Sequence, residues 1–241
     1  MGVFIQPWGS LADTAVAVGP SVTPAPSELD DFAAAAFVIP AHTAYHAVVR
    51  RGQVQPNETV LVTGAAGGLG SACVQLAAAR GARVIALVGS GEKAEHCLRL
   101  GAAYAVDHSA GDPLEGIKEL VGDRALDVIV DPVQGPAAGH LRQVLAPGGR
   151  HVLCGHAGGL EPIDPHFYVA NVSLVGATLG GYPPEQMAAM FDDASGYLTK
   201  MVSAGTFRPT PSQVVDFDDV PKVLTEMAAR QTIGRSVVRV A

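Results

Sequence analysis

The segment Thr59–Gly70, TVLVTGAAGGLG, constrains the fold more than any other part of the chain. An apolar strand that runs into a glycine turn and then a helix brings backbone N–H groups and the positive helix end to one point, where a phosphate can bind. Ala65, Gly67 and Gly70 stand at the glycine positions of the pattern G-x-G-x-x-G, so one position departs from it. The segment predicts a dinucleotide-binding turn, and the alternative is a glycine turn that only packs strand against helix. No Lys-Ser or Lys-Thr pair follows the glycines, which excludes a Walker loop.

From Thr59 as far as residue 179, apolar segments alternate with helical segments. Strands that are apolar throughout and separated by helices are typical of a parallel sheet covered on both faces. We therefore predict an α/β protein with a Rossmann-type doubly wound parallel sheet of about six strands. The predicted strand segments are VLVT, ARVIALV, AYAVDH, LDVIVD, RHVLCG and NVSLVGATL. Before the turn we predict two helices, FAAAAFVIP and AHTAYHAVVRRG, separated at Pro40.

The composition excludes several classes of protein. A net charge of −7 and an aromatic content of 5% argue against nucleic-acid binding, which needs a basic face or stacking platforms. Three widely spaced cysteines suit reduced thiols and have no zinc-ligand spacing. The first residues lack a signal-peptide pattern, and we see no apolar segment near the ~18 residues that span a bilayer. We expect a cytoplasmic globular protein without a membrane partner.

The end of the second strand predicts which dinucleotide binds. NAD-binding proteins place an acid there, about 20 residues after the turn, for the ribose 2′-hydroxyl. Here Val88 holds that position, and Ser90 and Lys93 follow it. A hydroxyl and an ammonium suit a 2′-phosphate, so we predict NADP(H). The alternative is that Lys93 is a solvated lysine in the first turn of a helix, and the neighbouring Glu92 is a counter-argument to the phosphate role.

The glycine turn also fits the T-G-x-x-x-G-x-G pattern of short-chain dehydrogenases. That family needs a Tyr-x-x-x-Lys pair downstream, in which the lysine lowers the pKa of the catalytic tyrosine. None of the four tyrosines after the turn has a lysine four places on, and Lys200 lies one place short of that spacing from Tyr197. That family also places the turn close to the N-terminus, which is not so here.

The chain instead resembles the medium-chain dehydrogenases/reductases, in particular their zinc-independent NADPH:quinone oxidoreductase branch. The resemblance covers almost the whole chain, and alanine at position 65 is typical of that branch. The segments that carry it are HTAYHAVVRRGQVQPNETVLVTGAAGGLGSACVQLAAARGARVIA, GSGEKAEHCLRLGAAYAVDH, DVIVDPVQG, APGGRHVLCGHAGG, NVSLVGATLGGY and IGRSVVRV.

The resemblance implies roles for particular residues. It assigns the pyrophosphate to Ala66, Gly67, Gly68, Leu69 and Arg235, the 2′-phosphate to Ser90 and Lys93, the adenosine phosphate to His108, and the nicotinamide end to Thr43, Val133, Gly155, His156 and Ala157. His108 stands where relatives often have a tyrosine, and Arg235 is alternatively a surface arginine. Tyr45 is a candidate proton donor, with a packed helix tyrosine as the alternative.

The same resemblance implies that no metal is bound. Ile39 occupies the place of the cysteine ligand of zinc-dependent relatives, and the cysteine-rich lobe is absent. His42 and His46 share a helix face but have no third ligand nearby in the sequence, so helix packing is the simpler interpretation.

In this family a barrel-like catalytic domain precedes the cofactor domain, and most of it has no counterpart here. We predict a remnant of it in residues 1–38, a cofactor domain in residues 39–206, and a C-terminal segment, 207–241, that packs with the remnant. The implied function is NADPH-dependent hydride transfer to a quinone or an activated enone or aldehyde. Alternatives are a non-catalytic NADP(H)-binding or sensor protein, or an incomplete gene product. The resemblance also implies a homodimer through an edge strand, Asn171–Leu179.

Overall fold

The computed structural model describes residues 2–3, 11–12, 14–17, 22–160, 162–163 and 165–240. Its strands are β1 (Gly2–Val3), β2 (Val22–Thr23), β3 (Thr59–Val62), β4 (Arg83–Val88), β5 (Tyr104–Asp107), β6 (Leu126–Asp131), β7 (Leu145–Leu153), β8 (Ser173–Gly176), β9 (Pro211–Asp216) and β10 (Arg235–Arg239). Its α-helices are α1 (Asp31–Tyr45), α2 (Gly68–Ala79), α3 (Gly91–Arg99), α4 (Pro113–Val121), α5 (Ala137–Leu141), α6 (Pro184–Ser203) and α7 (Val220–Ala228).

The chain divides into two compact units. We call them the sheet unit, Thr43–Leu179, and the terminal unit, Met1–His42 together with Gly180–Ala241. The domain boundaries predicted after residues 38 and 206 stay predictions, because compact units and evolutionary domains are different divisions of a chain.

The sheet unit is built on a six-stranded sheet in the order β5-β4-β3-β6-β7-β8, and each neighbouring pair is parallel. This confirms the predicted Rossmann-type doubly wound fold. Strand order reverses between β3 and β6, so the crevice at the carboxyl ends of these two strands is where such sheets bind ligands.

A continuous apolar core supports that edge of the sheet. Strand β3 is buried along its whole length, as a parallel strand covered on both faces should be. The core cluster joins strands to the helices beside them and comprises Leu61, Ile85, Leu87, Val106, Ile117, Leu126, Ile129, Leu141, Val144, Leu145 and Val172.

Helix boundaries in the sheet unit follow the local chemistry. Asp112 caps α4 by accepting a hydrogen bond from the Leu114 N–H at 2.9 Å, and Gly122 ends that helix with a φ of +90°. Ser90 caps α3 in the same way. A short side chain with a polar oxygen stabilises the start of a helix, and glycine, which lacks a Cβ, adopts the positive φ at its end without strain.

Helix α1 contradicts the predicted break at Pro40, because it runs through that residue and continues as a π-helix over His46–Arg51. Pro40 and the neighbouring Phe37, Val38 and Ala41 are buried, and this apolar packing outweighs the loss of one backbone hydrogen bond.

The continuous helix also corrects the expectation that no apolar segment is long enough to span a bilayer. Asp31–Arg51 is 21 residues long with a mean hydropathy of 1.4, which suffices by length and composition. Within the protein 67% of its apolar window is buried, as in the core helix of a globular fold.

The terminal unit contains two separate strand pairs. Strands β1 and β2 pair antiparallel, and β9 and β10 pair parallel with α7 between them in the chain. The two chain ends therefore lie in one unit, but their described strands belong to separate sheets. Inside this unit the Thr23 and Ser195 hydroxyls lie 2.8 Å apart, and the guanidinium of Arg239 lies 5.6 Å from the ring centre of Phe32.

Strand β8 lies at the edge of the six-stranded sheet, as predicted, but it is shorter than the predicted Asn171–Leu179. Asn171 has a φ of +54°, which is a turn conformation and not a strand. At the other end, Leu179–Gly181 forms a short 3-10 helix.

Candidate functional site

The glycine turn lies at the carboxyl end of β3, with hydrogen bonds to both neighbouring strands. The Thr63 N–H donates to Val130 O at 3.1 Å and the Ala65 N–H donates to Leu87 O at 3.2 Å. Gly64 has a φ of +52°, a conformation that favours glycine, whereas Ala65 does not have a positive φ. The departure from the glycine pattern at Ala65 therefore causes no backbone strain.

Gly70 lets helix α2 approach the turn closely. A Cβ at Gly70 would lie 2.2 Å from Gly64 O, which no side chain can tolerate. A Cβ at Gly67 would meet only Gly64 O at 3.4 Å, so the side of the turn at Gly67 is open. The two glycines thus have different uses: one allows packing, and the other leaves space.

Helix α2 begins without a side-chain cap, because its N-cap residue is Gly67. The first helical hydrogen bond is donated by the Ser71 N–H to Gly67 O at 2.8 Å. The N–H groups of Gly68, Leu69 and Gly70 precede it and have no acceptor within the helix. Three such donors at the positive end of a helix dipole suit an anion.

A second polar group lies where β4 and β5 end. The Ser90 hydroxyl oxygen accepts from the Lys93 N–H at 3.4 Å. A Cβ at Gly89 would lie 3.0 Å from the His108 ring, so that ring packs on Gly89. The backbone N–H of His108 donates a hydrogen bond to Val88 O at 2.9 Å. The structure therefore brings the predicted residues Ser90, Lys93 and His108 to one corner of the sheet.

Asp107 adds an acid to this corner, which the sequence reading did not include. Its pKa is lowered by hydrogen bonds from the hydroxyl and the N–H of Ser109, and further by the charges of His108 and Lys93. The carboxylate offsets part of the positive charge that Lys93 brings.

The loops after β6 and β7 are joined into one layer. The Gln134 amide donates to Gly155 O at 2.5 Å, and the Gly158 N–H donates to Val133 O at 2.8 Å. A Cβ at Gly155 would lie 2.5 Å from Pro132 O, so this close approach requires glycine.

This loop layer also reaches the glycine turn and contains the predicted nicotinamide-side residues. A Cβ at Gly64 would lie 2.8 Å from Val133 Cγ2, which places the Val133 side chain against the turn. The Ala157 N–H donates to Pro132 O at 3.3 Å, and His156 O accepts from the Gly159 N–H at 3.0 Å.

A buried carboxylate, Asp131, connects these elements and was missed by the sequence reading. Burial alone would raise its pKa, but hydrogen bonds from His151, the Gln134 N–H and Thr63 outweigh that effect and hold the pKa below its usual value. The signal available in the sequence was an acid at the end of the apolar run LDVIVD.

The remaining predicted residues lie in different places. Thr43 is half-buried on α1, and Tyr45 on the same helix is only 7% exposed. Arg235 belongs to the terminal unit, where it begins β10 and its N–H donates to Thr210 O at 2.9 Å.

Both ring nitrogens of His42 are occupied by protein hydrogen bonds. Nδ1 lies 2.7 Å from Val38 O and Nε2 lies 2.9 Å from the Ser195 hydroxyl. Because a carbonyl can only accept, Nδ1 carries the proton and Nε2 accepts from Ser195. Burial lowers the pKa of His42 to about 4, so the ring is neutral at pH 7. Among the described residues no group of three or more His, Cys, Asp and Glu side chains could hold a metal ion.

Comparisons with known proteins agree with this geometry. The sequence model of the family described as zinc-binding dehydrogenase matches residues 68–195. Quinone oxidoreductase-like protein 2 of Bos taurus is 32% identical over 205 residues, which are 84% of this chain and 58% of the relative. The quinone oxidoreductase of Rattus norvegicus is 31% identical and has 60% of its length covered, so the chain spans less than two thirds of these curated relatives.

A solved structure extends the similarity to the fold. The quinone oxidoreductase of Thermus thermophilus, whose structure is also known in complex with NADPH, is 34% identical with a TM-score of 0.81. The match covers 97% of this chain and 74% of that protein.

Proposed function

This chain belongs to the medium-chain dehydrogenase/reductase superfamily, among its quinone oxidoreductase-like proteins, and from that membership we propose that it binds NADP(H) and reduces a quinone or an activated enone or aldehyde. The observation that carries the proposal is the uncapped start of α2 behind an open glycine turn, at the switch point of the sheet. The structure of the Thermus thermophilus relative is also known with NADPH bound.

The described residues fit a dinucleotide phosphate. The N–H groups at positions 68–70 have no acceptor within the helix, and the open side of Gly67 leaves room for phosphate oxygens. We propose that Ala66, Gly67, Gly68 and Leu69 hold the pyrophosphate. Ser90 keeps a hydroxyl proton to donate, because only its oxygen is used by the α3 cap, and with Lys93 it would bind the 2′-phosphate.

The proposed chemistry divides between cofactor, protein and solvent. NADPH supplies a hydride when it is bound. The layer formed by the loops after β6 and β7, with Val133 and Gly155, would line the nicotinamide end and exclude water from it. Because Tyr45 is nearly fully buried, we propose that water, and not this phenol, gives the proton to the reduced substrate.

The alternative function is NADP(H) binding without catalysis. It is favoured by the 58% coverage of the bovine relative, since residues that bind substrate in that protein can lie outside the matched part. Both functions share the cofactor site and differ only in whether a substrate accelerates NADPH oxidation.

The test measures NADPH binding by isothermal titration calorimetry and NADPH oxidation with benzoquinone, phenanthrenequinone and a small enone. The proposal expects saturable NADPH binding and oxidation that rises with the concentration of at least one acceptor. Tight binding with no accelerated oxidation would support the non-catalytic alternative, and no binding would contradict both functions.

Lys93→Ala tests the 2′-phosphate assignment. Because one charge-assisted contact is lost, the affinity for NADPH should fall about tenfold or more, and the affinity for NADH by less than about twofold. Lys222→Ala, an exposed lysine on α7, is the matched control and should change neither affinity. Equal losses for the two nucleotides would show that Lys93 does not bind the 2′-phosphate.

We also propose that the reaction needs no metal ion. The support is that His42 already uses both ring nitrogens within the protein. Metal analysis of the purified protein and NADPH oxidation after treatment with a chelator test this, and a chelator-sensitive activity that zinc restores would contradict it.

We propose a homodimer that pairs through the edge strand β8. Its outer edge offers backbone groups for strand pairing, and Leu174 and Val175 are only half-buried in the single chain. Val175→Asp or Leu174→Asp should give monomers in sedimentation velocity, whereas Leu160→Asp, at a 79% exposed loop position, should leave the dimer intact. A dimer that survives both strand substitutions would contradict the assignment.

A further inference from the structure

Asp131 accepts hydrogen bonds from segments that are far apart in the sequence. Its Oδ1 accepts from the Thr63 hydroxyl at 2.5 Å, the Val133 N–H at 2.9 Å and the Gln134 N–H at 2.8 Å. Its Oδ2 accepts from His151 Nε2 at 2.9 Å. The carboxylate is 1% exposed, so solvent does not replace any of these bonds when one is lost.

Each of the three donors to Oδ1 belongs to a wall of the proposed cofactor site. Thr63 is the first residue of the glycine turn, and Val133 and Gln134 form the loop after β6. The third wall is tied indirectly, because the Gln134 side chain donates to Gly155 O in the loop after β7. The backbone of Asp131 reaches the same loop, since its carbonyl accepts from the Cys154 N–H at 3.1 Å.

We propose that Asp131 is a positioning residue: its carboxylate accepts four hydrogen bonds that set the geometry of the glycine turn and of the loop after β6, and the loop after β7 follows through the Gln134 side chain. The link to the cofactor rests on the proposed function, whereas the effect on the loops does not. Asp131 contacts neither substrate nor cofactor in this account and acts through the segments that it holds.

The hydrogen-bond pattern also fixes the tautomer of His151. A carboxylate only accepts, so Nε2 of His151 carries the proton that it donates to Oδ2. Nδ1 of His151 has no hydrogen-bond partner among the residues that the structure describes, and the ring is fully buried.

An amide at position 131 can keep most of this arrangement. The oxygen of Asp131→Asn can take the place of Oδ1 and accept from the same three donors. Its NH2 group then faces His151 Nε2, which must become an acceptor, so the proton moves to Nδ1. Asp131→Ala, in contrast, leaves the buried Thr63 hydroxyl and the two half-buried N–H groups without their acceptor.

The experiment compares these two variants in the cofactor-free protein by amide hydrogen exchange. Asp131→Ala should raise exchange rates at least about tenfold in segments 63–70, 132–136 and 155–159, because the loss of the shared acceptor lets these loops open. Asp131→Asn should stay within about threefold of the wild type, and its His151 should show an Nδ1–H tautomer in nitrogen NMR spectra.

Asp127→Ala is the matched control. Asp127 lies at the start of the same strand, and its carboxylate accepts from the Thr59 N–H at 2.8 Å, at the opposite end of β3. This variant loses a comparable bond, so it should lower the free energy of unfolding without raising exchange in the three loop segments.

NADPH affinity provides the second measurement. Asp131→Ala should lower the affinity for NADPH at least about tenfold. Asp131→Asn and Asp127→Ala should lower it by less than about threefold. If Asp131→Ala does not fold, Thr63→Val replaces it and should raise exchange in segment 63–70 alone. Loop exchange equal to that of the Asp127→Ala control would overturn the inference, as would an asparagine variant that behaves like alanine. Failure of the wild type to bind NADPH would contradict the proposed function and leave the exchange result as the test of positioning.

Discussion

The sheet unit and the terminal unit differ in how completely their strands are buried, since β3 has no exposed residue whereas every second residue of β9 is exposed. In the sheet unit the core cluster extends through five adjacent strands, from β5 to β7 in the order of the sheet. In the terminal unit α7 leaves Leu224 55% exposed and Met227 52% exposed. The strands described there occur only as pairs, β1 with β2 and β9 with β10. Two-stranded pairs have little stability of their own, so we expect the terminal unit to open at lower free energy than the sheet unit.

This difference explains where the proposed cofactor site can be built. Binding geometry has to be held by side chains that are locked in a core, and the sheet unit provides this at the carboxyl edge of its sheet. The candidate residues that lie in the sheet unit are tied to that core by backbone hydrogen bonds, whereas Arg235 lies in the terminal unit.

We expect the largest difference in stability between the units from a leucine-to-alanine substitution made once in each unit. Leu126→Ala removes a fully buried side chain from the core cluster of the sheet unit, and we expect a loss of about 2–5 kcal/mol in the free energy of unfolding. Leu224→Ala in the terminal unit removes a half-exposed side chain and should cost less than about 1 kcal/mol. Urea unfolding followed by circular dichroism measures both. Equal losses would show that the two units are equally well packed.

The sequence predicted the sheet unit more completely than the terminal unit. Runs such as LDVIVD and the glycine turn carry local signals that are strong because parallel strands are apolar on both faces. The pairing of β9 with β10 and the run of α1 through Pro40 depend on tertiary packing, and local signals do not contain that. The shortened β8 follows from a turn conformation at Asn171 that the apolar pattern did not reveal.

The candidate site shows the same limit at the scale of single residues. The turn residues could be identified because their spacing is local. The network of Asp131 could not, since its partners Thr63 and His151 lie 68 and 20 residues away in the sequence. The charge of Asp107 beside Lys93 was missed for the same reason.

Two histidines on one continuous helix allow the two units to be compared by the pH dependence of their stability, because His42 lies in the terminal unit and His46 in the sheet unit. Burial lowers the pKa of each from 6.5 to about 4, and Arg50 and Arg51 contribute at His46. The unfolded chain therefore binds more protons than the folded protein between pH 6.5 and pH 4, and stability falls as the pH falls through this window. Each histidine should remove about 2 kcal/mol between pH 7 and pH 5.

His42→Asn and His46→Asn should each flatten this pH dependence by that amount. Urea unfolding at pH 7 and pH 5 measures it, and the double variant should lose both contributions. If the two units unfold in separate transitions, each substitution should change only the transition of its own unit. A wild-type pH dependence in both variants would contradict the burial of the two rings.

We expect the smallest effect on stability from replacing one helical glycine by alanine in each unit. A Cβ at Gly196 in α6 would meet nothing within 4 Å, so Gly196→Ala should raise the free energy of unfolding by about 0.5–1 kcal/mol through helix propensity. A Cβ at Gly116 in α4 would lie 3.2 Å from Val106 Cγ1, and this tight contact should cancel the gain in Gly116→Ala. Thermal unfolding measures both variants. A gain at Gly116 that equals the gain at Gly196 would show that helix packing is no tighter in the sheet unit than in the terminal unit.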